Sequence, residues 1–104
     1  MKTIMLACAA GMSTSMLVNR MKKAAEEQNL DLDIFAVSTA EAEDKVNDQA
    51  IDVILLGPQV RYQAEDFKAK FEPQGIKVAV IDMMDYGMMN GQKVLASALA
   101  LMEG

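Results

Sequence analysis

Histidine and tryptophan are absent from this 104-residue chain, and cysteine occurs once, at Cys8. Without histidine there is no Ser-His or Cys-His catalytic pair, and no phosphohistidine can form within the chain. A single cysteine excludes an intrachain disulfide, a Cys-x-x-Cys redox pair and a zinc site built from cysteine and histidine. Long apolar runs are missing as well: the stretch from Met1 to Cys8 holds one lysine and a short apolar segment that soon meets polar residues. That is too brief for a signal peptide or a membrane-spanning helix. Positive charge is scarce, with 10 Lys and Arg against 15 Asp and Glu and a net charge of −5. The basic footprint that nucleic acid or an anionic membrane selects is therefore lacking. A thiol without an export signal points to a soluble chain in the cytoplasm.

What is present suffices for one folded unit. The length falls within the usual size of a domain, and 52% hydrophobic residues can fill a core. Four short apolar runs, residues 3–7, 32–37, 52–56 and 78–81, alternate with four longer segments of helical character. Most of these runs are rich in Val, Ile and Leu without strict alternation, as in strands buried on both faces of a parallel sheet. The βαβαβαβα order predicts a single doubly wound α/β domain over residues 1–104: a four-stranded parallel sheet with helices on both faces.

Each helical segment carries its own signals. Leu17, Met21, Ala24, Ala25 and Gln28 recur at helical spacing and predict a helix over about residues 13–28. Ser38 and Glu41 form a capping box, so a second helix is expected from near Thr39 towards Val46. Val60, Ala64, Phe67 and Phe71 make the stripe of a third, with Pro58 at or before its first turn and Pro73 and Gly75 ending it. Asn90 is placed to cap a fourth, whose Val94, Leu95, Ala98, Leu99 and Met102 face the sheet.

Ligands of open α/β sheets sit beyond the carboxyl ends of the strands. Cys8 stands there, at the end of the first strand, and opens the loop Cys8-Ala9-Ala10-Gly11-Met12-Ser13-Thr14-Ser15 ahead of a helix. The exposed N–H groups and partial positive charge of a helix N-terminus favour a bound phosphate, and a thiolate for the same reason. Ala9 and Ala10 keep the backbone accessible, and Gly11 can take the positive φ that a curled anion nest needs. Ser13, Thr14 and Ser15 supply hydroxyl donors. Two plainer readings stay beside this one. Cys8 is a small buried hydrophobe at a strand end, or the loop binds the phosphate of a flavin or nucleotide without using the thiol.

The loop resembles the Cys-x5-Arg-Ser/Thr signature of low-molecular-weight tyrosine phosphatases, with Thr14 at the arginine position. Threonine cannot clamp phosphoryl oxygens bidentately, so a cysteine phosphatase is disfavoured and a group carrier favoured. The Cys8 to Ser15 loop, with Leu55-Leu56-Gly57-Pro58-Gln59-Val60 and Asp85-Tyr86-Gly87, closely resembles the IIB component of the phosphoenolpyruvate-dependent sugar phosphotransferase system. The resemblance is to its lactose/cellobiose/diacetylchitobiose family, over essentially the whole chain. It implies that Cys8 takes a phosphoryl group from a phosphohistidine of IIA and passes it to a sugar, of cellobiose or diacetylchitobiose type, entering through the membrane component IIC. Residues Ala9, Ala10, Gly11, Met12, Ser13, Thr14 and Ser15 would bind the phosphate, and no cofactor or metal is called for. Met12, Gln59 and Tyr86 are candidates for partner docking, with Met83, Met84, Met88 and Met89 adding an adaptable apolar rim. Asp82 is read as a cap or turn, and Asp85 and Arg61 as solvated. A monomer meeting two partners through one face fits this scheme.

Overall fold

The computed structural model describes residues 1–9 and 12–103, and of Met12 and Ser13 the backbone alone. Strands β1 (Lys2–Cys8), β2 (Leu32–Ser38), β3 (Val53–Leu56) and β4 (Lys77–Val80) form one parallel sheet in the order β2-β1-β3-β4. The predicted strands are all there, with boundaries shifted by at most one residue. β1 and β3 lie inside the sheet, and their apolar runs are buried on both faces: Thr3 to Cys8 and Val53 to Leu56 are buried throughout. The edge strands β2 and β4 are only partly covered, which is where Lys77 and Val80 reach solvent.

Alternation along the strands divides the core into two layers. Ile4, Leu6, Val53 and Leu55 point to one face, where they meet Leu17, Met21 and Ala24 of α1 (Met12–Glu27) and Val94, Leu95 and Ala98 of α5 (Gly91–Glu103). Met5, Ala7, Ile54 and Leu56 point to the other, against Ala42 of α2 (Ala42–Asp48) and Phe67 and Phe71 of α3 (Ala64–Phe71). The two phenylalanine rings meet edge to face with centroids 5.4 Å apart. Truncating a buried ring such as Phe71, 2% exposed, costs about 3–5 kcal/mol in cores of this kind.

The capping box is present, with the Ser38 N–H and hydroxyl donating to Glu41 Oε1. Asn90 caps α5 through Lys93 N–H at 3.1 Å. Two expectations change. The segment after β3 is not one helix: a 3-10 stretch, Pro58–Gln63, precedes α3, and Val60 inside it leaves helical geometry at φ −117° and ψ 23°. A fifth helix, α4 (Met83–Gly87), follows β4, where a cap or turn at Asp82 is the one feature expected. Asp82 caps it, accepting hydrogen bonds from the N–H groups of Met84 and Asp85. Among the described residues, no helix is long and apolar enough to cross a membrane.

The strand order also fixes where a ligand would sit. From β1 the chain passes through α1 to β2 on one side, then returns across to β3 on the other. The carboxyl ends of β1 and β3 therefore flank the switch point, the usual crevice of such sheets. Cys8 ends one strand, and Gly57 follows the other.

Candidate functional site at the carboxyl end of the central strand

Cys8 is the last residue of β1 and is 4% exposed. Parallel pairing holds it on one side through the Cys8 to Ser38 register position. On the other side, Gly57 N–H donates to Ala7 O at 2.9 Å, so the end of β3 is tied to the residue just before the thiol. A β carbon on Gly57 would stand 3.2 Å from Cys8 Cβ and 3.0 Å from Gln59 Oε1. The backbone of Gly57 is extended, at φ −64° and ψ 151°, so its glycine is selected by this close approach rather than by backbone conformation.

On the helix side, Thr14 is 1% exposed and its Oγ1 lies 2.7 Å from Cys8 Sγ. The side chain at the phosphatase-arginine position thus turns inward onto the sulfur. Ala9 and Ser15 are exposed next to this pair. Met12 and Ser13 open α1, and its first turn carries no acidic residue to oppose an anion. Ala10 and Gly11 lie outside the described residues, as do the side chains of Met12 and Ser13.

Beyond Gln59 the site continues into an open groove of about 710 Å³ between the 3-10 stretch and α4. Pro58, Gln59, Arg61 and Tyr62 line one wall, and Met83, Tyr86 and Gly87 the other. Two of the three docking candidates, Gln59 and Tyr86, are brought together here. Tyr86 is 8% exposed and belongs to the α1/α5 core layer as well, so it both packs and lines the groove. Arg61 is exposed at the same wall. Of the methionines expected at the rim, Met83 lines this groove; Met84 and Met88 are exposed without lining it, and Met89 is partly buried against the α1/α5 core layer.

Tyr62, 76% exposed, belongs to this groove and was not among the residues marked by the sequence. Its only signal is phase: it falls between Val60 and Ala64, off the apolar stripe.

The arrangement comprises a buried thiol at a strand end, the Thr14 hydroxyl from the first turn of α1 on its sulfur, and an apolar groove nearby. It can accept a phosphoryl group, and it lacks the guanidinium clamp of a phosphatase. Comparison with known proteins identifies the family. The family model described as "PTS system, Lactose/Cellobiose specific IIB subunit" matches residues 3–97. A galactose-specific EIIB component of Lactococcus lactis subsp. cremoris is 51% identical over 104 residues, covering 97% of this chain and 96% of that one. An oligo-beta-mannoside-specific EIIB component of Bacillus subtilis is 40% identical over 102 residues, 98% of this chain and 97% of that one. A lactose-specific EIICB component of Streptococcus mutans is 34% identical over 83 residues, 80% of this chain but 14% of that longer one.

Among solved structures, a cellobiose-specific phosphotransferase IIB component from Borrelia burgdorferi superposes with a TM-score of 0.79 at 39% identity, covering 98% of this chain and 92% of that one. YwlE from Bacillus subtilis, named an arginine phosphatase, shares the fold with a TM-score of 0.60 at 11% identity over the whole of both chains.

Proposed function

This chain belongs to the lactose/cellobiose-specific IIB family of the phosphoenolpyruvate-dependent sugar phosphotransferase system, and we propose that Cys8 is the residue on which it carries a phosphoryl group. As a IIB component it is a phosphotransferase working with a IIC component. The observation that carries the assignment to Cys8 is its position: the one thiol of the chain sits at the topological switch point, facing the first turn of α1.

In this reading the donor is a phosphohistidine of IIA. The Cys8 thiolate attacks phosphorus in line, forming the S–P bond as the P–N bond breaks. The electron pair stays on the imidazole nitrogen, and the ring leaves neutral after protonation on its other nitrogen. In the second transfer a sugar hydroxyl at IIC attacks phosphorus, its proton passes to a base at the sugar site, and the S–P pair returns to sulfur. Backbone N–H groups of residues 9–15, with the hydroxyls of Ser13 and Ser15, stabilise the equatorial oxygens in both transfers. The acceptor is a β-linked disaccharide of cellobiose or diacetylchitobiose type. The relatives' names range over galactose, oligo-beta-mannoside and lactose, in keeping with a sugar choice made by IIC rather than here.

Residues 1–104 act as one cytoplasmic IIB domain, monomeric, whose single reactive face serves both partners in turn. Gln59, Tyr62, Met83 and Tyr86 form the docking groove, and Met12 at the start of α1 is a further docking residue in this reading. Hydrolysis is disfavoured because Thr14 offers no fork of cationic donors to a phosphate attacked by water. The test is to incubate the protein with histidine-phosphorylated IIA of a lactose/cellobiose system and map the phosphate by mass spectrometry. Phosphate on Cys8 is expected; phosphate on another residue, or none, would contradict the assignment.

A further inference from the structure

The loop hydroxyls are expected to serve phosphoryl oxygens, yet the Thr14 hydroxyl is already committed elsewhere. Its Oγ1 is 2.7 Å from Cys8 Sγ, and both residues are shut from solvent, at 1% and 4% exposure. With a thiol, either atom can donate this hydrogen bond. A thiolate has no proton to give, so in the reactive state Thr14 must donate and sulfur must accept. A hydrogen bond to an ionised acceptor in a buried site is stronger than one to a neutral sulfur. Once phosphorylated, the sulfur is a neutral thioester-like centre and a poor acceptor. The bond is therefore worth most when Cys8 carries no phosphate.

We infer that Thr14 sets the phosphoryl-transfer potential of Cys8: by stabilising the departing thiolate it makes phosphocysteine a better donor. This rests on the reading of Cys8 as the phosphoryl carrier. The consequence is directional. When Cys8 attacks, the bond is strongest at the start and weakens as S–P forms. When Cys8 leaves, S–P breaks, the electron pair collects on sulfur and the bond strengthens. Loss of the hydroxyl hence burdens release more than loading. A residue that served phosphoryl oxygens in the transition state, or merely kept the loop in shape, would burden both alike.

The experiment measures loading of the protein from phosphohistidine-IIA, and return of the phosphoryl group to unphosphorylated IIA, by rapid quench. Thr14→Val, close in shape but without the hydroxyl, is expected to slow return about tenfold more than loading, shifting the equilibrium about tenfold towards phosphocysteine. Thr14→Ala, which crowds nothing, should give the same shift, and Thr14→Ser should restore the wild-type ratio. Equal slowing of both directions, or a ratio that serine does not restore, would overturn the role of Thr14 while leaving the carrier intact. Failure of the wild type to take phosphate on Cys8 would instead remove the carrier reading, and this inference with it.

Discussion

Gly57 and Cys8 lie so close that the missing β carbon of the glycine would stand 3.2 Å from Cys8 Cβ. That spacing is tighter than ordinary side-chain contact, and it comes from two neighbouring strands, β1 and β3, ending side by side at the switch point. The glycine thus lets the chain turn away after β3 without pushing Cys8.

Gly57→Ala is expected to separate reactivity from stability. The backbone at Gly57 suits alanine, and Gln59 Oε1, the other close neighbour, is the end of a flexible side chain. The protein should fold with a melting temperature within a few degrees of wild type. Cys8, however, must give way by a few tenths of an ångström, and displacements of order 1 Å cost about 10²-fold in positioned reactions. Phosphoryl loading from IIA should fall about tenfold. An unchanged rate with an unchanged fold would show that the close approach has no bearing on the chemistry.

Tyr62→Ala and Met83→Glu test the groove. Both side chains are well over half exposed, so neither change should alter thermal unfolding by more than about 0.5 kcal/mol. If partners seat their apolar surface here, each should raise the IIA concentration needed for half-maximal loading by about tenfold, as truncation of an aromatic anchor does. The rate at saturating IIA should hold. Titration of loading rate against IIA concentration distinguishes this from a loss of Cys8 reactivity, which would lower the plateau.

At the start of α5, opposing terms set the sign for Gly91→Ala. Alanine is the better helix former by about 1 kcal/mol in a helix interior and by less in a first turn. A β carbon there would stand 2.5 Å from Arg20 C and 2.7 Å from Met21 N, which are backbone atoms of α1 and cannot swing aside. The helices must part, at a typical cost of about 1–3 kcal/mol. Net destabilisation of about 1–2 kcal/mol is expected in urea unfolding; an increase in stability would mean that α1 and α5 are not held at this distance in solution.

The strands were legible because burial on both faces leaves runs such as Val53-Ile-Leu-Leu56 that need no context to be read. α1 and α5 were legible because 16 and 13 residues give room for helical spacing to show. At five residues, α4 is shorter than two turns, and only its cap, Asp82, was visible. The stripe Val60, Ala64, Phe67, Phe71 does mark buried or half-buried positions, but the break at Val60 follows from how the chain leaves Gly57 and has no signature in apolar spacing. In the site, the Cys8-to-Thr14 separation was readable and the direction of the Thr14 side chain was not. Spacing identifies a missing arginine, whereas the turn of its replacement onto sulfur depends on the packing of α1 against β1.

β1 runs from Lys2 to Cys8, and at about 3.3 Å per residue those two ends are about 20 Å apart. A polypeptide joined ahead of Lys2 would consequently leave from the pole opposite the thiol. Such a leash would leave the thiol end of the sheet unobstructed, with its effective concentration at any tethered neighbour set by leash length rather than by docking strength.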